Sequence, residues 1–120
     1  MNYEQLSELL NKLTVFVKDN PRVFATSQRL IDAKLVNTYK DGITLMNIFK
    51  SKKQTLEQRI ENTVLSIILY RYSETTVLEN VYGDKCTISY IIKRFCKNNK
   101  RGIDIRDKRY ALRRFLFEKI

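Results

Sequence analysis

Histidine is absent from this chain, and that absence excludes more chemistry than any residue present supplies. Without histidine there is no imidazole base for a Ser, Cys or phosphodiester mechanism, and no Cys/His set for zinc. Three glycines, Gly42, Gly83 and Gly102, are too few and too scattered for a phosphate-cradling loop. Cys86 and Cys96 belong to no CxxC pair. On one helix they would stand roughly 15 Å apart, beyond disulfide reach, so reduced and partly buried thiols are expected. No apolar run nears the ~18 residues that cross a bilayer. The first residues, Met1-Asn2-Tyr3-Glu4, lack the basic start and apolar block of a signal peptide. The expectation is a soluble intracellular protein, in the cytoplasm or nucleoid, or in a host compartment if viral.

What is present suffices for one core: 43% of the 120 residues are hydrophobic, with seven Tyr and six Phe. Asn, Lys, Ile and Tyr are abundant, a bias that matches the AT-rich coding genomes of many phages and viruses. Charge is divided unevenly. Residues 85–120 hold 12 Lys/Arg against 3 Asp/Glu, a net of +9, whereas residues 1–84 hold 11 against 10, a net of +1. A single domain over 1–120 is expected. Residues 1–54 would form supporting or dimerising helices, and 55–120 a core helix, a candidate recognition unit and a basic C-terminal segment.

Along Tyr3 to Lys18, Leu6, Leu9, Leu10, Leu13, Phe16 and Val17 recur at the spacing of an amphipathic helix, whose stripe is either core or a dimer seam. Asn20-Pro21 reads as a cap followed by proline at the first helical position, with helical spacing from Val23 to about Tyr39. Asp41-Gly42 breaks that pattern; Ile43 to Phe49 is a short helix or an extended segment, and Lys50–Lys53 a charged connector. Thr55-Leu56-Glu57-Gln58 fits a capping box opening a core helix over 56–72. Ser73 then caps a short helical pattern, Glu74 to Tyr82, which ends at Gly83-Asp84. A second helix is expected over 87–97, burying Ile88, Ile91, Ile92 and Phe95 and exposing Ser89, Tyr90, Lys93 and Lys97. After a cationic loop, Leu112, Phe115, Leu116 and Ile120 give a last helix, with Asp104 or Asp107 as its cap. The alternative is a hairpin wing pairing 102–105 with 110–115.

From Val77 to Lys93 the chain resembles the helix-turn-helix of repressors, resolvases and sigma-type factors. Val77, Val81, Ile88 and Ile91 fall where that family keeps apolar residues, and Thr87–Arg94 falls at its recognition helix. Leu78 stands where a small residue is usual, and Tyr82 takes the place of the turn glycine, with Gly83 one position on. The elements read along the chain predict an all-α fold of five to six helices, or a winged helix if the C-terminal segment is a hairpin, and the resemblance implies a recognition helix that docks in the major groove.

The function expected is nucleic-acid binding, double-stranded DNA before RNA, by a small regulator of transcription or replication. Lys85, Lys93, Arg94, Lys97, Lys100, Arg101, Arg106, Arg109, Arg113 and Arg114 would meet phosphates, and Ser89, Tyr90 and Lys93 would face bases. The partners in view are nucleic acid, a second copy, and an acidic protein surface on which the basic face docks to modulate a host enzyme. RNA would draw on Tyr90, Phe95 and Tyr110 for stacking. Asp104, Asp107, Glu118 and Lys119 could be assembled on paper into a metal-dependent nuclease site, but no spacing enforces it. No catalytic residue, metal or cofactor is expected.

Overall fold

The computed structural model describes residues 2–20, 22–50, 53–96 and 104–118. The fold is 69% helical, with six α-helices and one two-stranded hairpin among the described residues, so the all-α expectation holds. The chain divides into two compact units, residues 8–71 and residues 1–7 with 72–120. Among the described residues no helix is long and apolar enough to cross a membrane.

Helix α1 runs Tyr3–Asp19, with Glu4 in its first turn and Lys18 in its last, the charge order that suits a helix dipole. Asn2 and Gln5 cap it reciprocally. The Gln5 N–H donates to Asn2 Oδ1 at 2.8 Å, and the Asn2 N–H to Gln5 Oε1 at 3.0 Å. Leu6, Leu13 and Val17 are its buried residues.

In the 8–71 unit the helix expected between Val23 and Tyr39 is broken into pieces. A single 3-10 turn covers Val23–Ala25, and α2 covers only Ser27–Asp32. Thr26 is the reason for the restart: it is extended, and its hydroxyl accepts from the Arg29 N–H. The stop is a Schellman end. Lys34 takes φ 61°, its N–H donates to the Ile31 carbonyl and that of Leu35 to Leu30. Pro21 lies outside the described residues, as do Ser51 and Lys52 of the connector.

Gly42 also departs from its expected place. It does not break the pattern but sits buried inside α3, Tyr39–Phe49, which Thr38 caps from the front. Helix α3 packs on both α2 and α4. The Ser27 hydroxyl donates to the Tyr39 carbonyl at 2.8 Å, drawing the start of α2 onto the first turn of α3. Phe24 stacks on Phe49 with centroids 4.0 Å apart, and the Arg59 guanidinium lies 5.7 Å from the Phe49 centroid.

Helix α4, Leu56–Arg71, opens as its sequence states: the Gln58 N–H donates to Thr55 Oγ1 and the Thr55 N–H to Gln58 Oε1. Every residue from Asn62 to Ile68 is buried, so this helix has no solvent face over two turns. The polar members survive burial because each is bonded. Thr63 donates to the Arg59 carbonyl, Ser66 to that of Asn62, and the Asn62 amide to Gln54.

In the other unit the segment expected as a first recognition-unit helix is a β-hairpin. Strand β1, Val77–Glu79, pairs antiparallel with β2, Lys85–Thr87. The turn explains it. Asn80 is buried, and its side-chain oxygen accepts from the N–H groups of Tyr82 and Asp84. The Gly83 N–H closes a turn on the Asn80 carbonyl, and Gly83 takes φ 85°, the left-handed position that a tight hairpin loop requires. Helix α5, Ile88–Phe95, begins directly where β2 ends, and α6 spans Ile105–Phe117. Asp104 is the cap of α6, accepting from the Asp107 N–H at 2.9 Å. Because 110–115 is helical, no C-terminal wing forms there; the hairpin precedes α5 instead of following it.

Candidate nucleic-acid interface

Helix α5 owes its start to Thr87, whose hydroxyl accepts from the Tyr90 N–H at 3.1 Å. Thr87 lies outside the helix that it was expected to belong to, and its extended backbone ends β2 at the same residue. Replacing it with Ala removes this cap and should cost about 1 kcal/mol. Thermal unfolding measures that loss, and a Ser replacement should restore most of it.

The two faces of α5 separate as their side chains require. Ile88, Ile91 and Ile92 are buried, and α6 packs against this helix. Ser89, Tyr90, Lys93 and Arg94 are all exposed, which places a hydroxyl, a phenol and two cations on one outward stripe. Phe95 is half-buried; the Arg94 and Arg114 guanidinium groups lie 5.7 and 6.0 Å from its ring centroid. Lys85, on β2, keeps 67% of its side chain exposed although Glu79 stands 3.8 Å away. A pair so solvated does little to neutralise the lysine.

The hairpin adds a residue that was not among those expected at the site. Tyr82, at the loop tip, is exposed, and with Lys85, Tyr90 and Arg94 it lines an open cleft of about 610 Å³. Phe95 and Phe115 also line it, together with the carboxylates of Asp84 and Glu118. Asn80 and Gly83, three apart, were the available signal for this turn: asparagine favours the first position of such a turn and glycine the fourth.

The α6 cations are less uniform than their sequence suggests. Arg106 is exposed, whereas Arg109, Arg113 and Arg114, all three expected to meet phosphates, are half-buried. Arg114 donates to Tyr110 Oη at 3.1 Å, and its Nε lies 3.6 Å from Glu118. The Tyr110 hydrogen bond raises the arginine pKa further, so its charge is permanent but already occupied. Lys108 pairs with Glu74 at 3.4 Å. Lys97, Lys100 and Arg101 lie outside the described residues. Of the residues expected to form the site, Lys85, Tyr90 and Arg94 therefore meet around one cleft, and Ser89 and Lys93 share the exposed stripe of α5 with Tyr90 and Arg94.

Of the groups considered for acid-base or metal chemistry, Lys119 lies outside the described residues, and the Asp104 and Glu118 carboxylates have structural duties. The Asp107 backbone N–H holds the Asp104 carboxyl below the usual range. Glu118 pairs with Arg114. Burial raises the pKa of Cys96, whose thiol donates to the Asp107 carbonyl, and both cysteines are free thiols. Among the described residues no three His, Cys, Asp or Glu groups converge to hold a metal. Compared with protein-family models, curated proteins and solved structures, the chain matches none of them.

Proposed function

We propose that this chain binds nucleic acid, double-stranded DNA ahead of RNA, as a small regulator of transcription or replication. The observation that supports this reading is the outward stripe of α5. Ser89 and Tyr90 offer groups for base edges, and Lys93 and Arg94 carry charge for phosphates, above a buried isoleucine face that holds the helix rigid. Lys85 and Arg106 extend the phosphate contacts. The reading unit is one helix led in by a hairpin. The tyrosine at the hairpin tip stands beside it, where an aromatic ring can stack on a base or sugar.

A titration of duplex DNA across a salt series tests this. Replacing Lys93, Arg94 and Arg106 together by Ala should weaken binding to every sequence. It should also flatten the salt dependence by about 0.9 for each phosphate that the variant no longer neutralises. Replacing Ser89 and Tyr90 by Ala should reduce preference among sequences while leaving that slope unchanged. No duplex binding at low salt overturns the proposal.

A second reading, docking on an acidic protein surface, draws on one feature. The hairpin tip exposes Val81 at 49% and Tyr82 at 56%, more apolar surface than phosphates need. It takes precedence if neither duplex nor single strands bind and the charge-neutralised variant behaves as wild type toward nucleic acid.

A further inference from the structure

Helix α1 leaves one stripe uncovered. Leu6, Leu13 and Val17 are buried, yet Val15 is 58% exposed and Phe16 only half-buried. Val15 and Phe16, together with Leu9, Asn11, Lys12, Asp19 and Asn20, line an open and mainly apolar groove of about 630 Å³, bordered by Ala33 and Leu35. Lys12 and Asp19 are both exposed, and no ion pair among the described residues engages either.

The residues of this groove have a symmetry. Positions 12, 15, 16 and 19 are spaced i, i+3, i+4, i+7 and so form one stripe, flanked by 11 and 20. Read outward from the midpoint between Val15 and Phe16, they pair valine with phenylalanine, Lys12 with Asp19 and Asn11 with Asn20. Those are the pairings that a two-fold axis through the midpoint makes between antiparallel copies of the helix, since residue i then faces residue 31 − i. Each cation meets one carboxylate, a pair that symmetry makes twice, the two apolar residues close over each other at the centre, and asparagine meets asparagine at either end. A foreign helix would need to reproduce that order; a second copy of this chain carries it already.

We propose that this face is a homodimer interface, in which α1 of a second copy lies antiparallel along the Val15/Phe16 groove with Lys12 opposite Asp19. The inference goes beyond the nucleic-acid reading and does not depend on it.

Sedimentation equilibrium tests the assignment. Wild type should be dimeric at high micromolar concentration. Val15→Glu should be monomeric with unchanged far-UV circular dichroism, because the side chain it replaces is largely exposed. Lys12→Asp and Asp19→Lys should each weaken self-association roughly tenfold, because like charges then face each other at two symmetric places. Mixed in equal amounts, these two variants should form a heterodimer, in which both pairs are again opposite in sign. A monomeric wild type, a Val15→Glu protein that dimerises as before, or a mixture that yields no heterodimer would each overturn the proposal.

Discussion

Ile91→Asp should abolish the folded state of the unit formed by residues 1–7 and 72–120. Ile91 has no exposed surface, and it lies on the face of α5 whose neighbours Ile88 and Ile92 are also buried. Removing its aliphatic side chain costs about 2–5 kcal/mol, and an unpaired carboxylate left there adds several more. Together these approach the roughly 5–15 kcal/mol that holds a whole domain. Far-UV circular dichroism and thermal unfolding provide the measurement. Lys93→Asp is the control, because position 93 lies on the exposed stripe of the same helix and should leave the melting temperature nearly unchanged. Equal melting of wild type and Ile91→Asp would show that this face is not core, and the site built on its opposite side would lose its support.

Gly42→Ala should destabilise the 8–71 unit although alanine is the better helix former. In an exposed helix interior the exchange gains about 1 kcal/mol. Here a methyl group at position 42 runs into Ser27, meeting its hydroxyl oxygen, its Cβ at 2.9 Å and its Cα at 3.1 Å. Oγ can rotate away; Cα cannot. Helices α2 and α3 must therefore separate, opening the packing around Leu30 and Leu45, both fully buried. Overpacking of this kind costs about 1–3 kcal/mol, enough to reverse the propensity gain. The larger Gly42→Val should be more destabilising still. Ser27→Gly combined with Gly42→Ala should recover part of the stability in a double-mutant cycle, since two of the three colliding atoms go with the serine side chain. If Gly42→Ala instead raises the melting temperature, the two helices do not approach closely at this point.

Where the sequence was legible, the signals were local. The Thr55/Gln58 box, an aspartate cap at Asp104 or Asp107, the leucine stripe of α1 and the two faces of α5 all depend on residues within a few turns of one another, and the structure contains each of them, with Asp104 as the cap. Misreading came from patterns that two structures share. Val77, Val81, Ile88 and Ile91 are spaced as a two-helix unit would space them, but strands of three residues are too short to display a period of two. The Asn80–Gly83 turn was the better guide, because its hydrogen bonds require a side-chain acceptor at the first position and a left-handed residue at the last. Arg113 and Arg114 read as free phosphate contacts for a similar reason. Periodicity assigns a face, but it does not reveal that Tyr110 and Glu118, one turn to either side, hold Arg114 down.

By itself, then, the sequence determined the helical character, the starts of α1 and α4 and the concentration of charge in the last third. These depend on side chains within one or two turns of each other and on composition, which no folding can alter. Only the tertiary structure decided what Gly42 is for, because its role depends on Ser27, fifteen residues earlier. It alone set Tyr82 beside Tyr90 and Arg94 around one cleft, and left Val15 uncovered while Leu13 and Val17 were buried. Each of those outcomes rests on whether residues distant along the chain touch, and no local pattern encodes the neighbour that folding will bring.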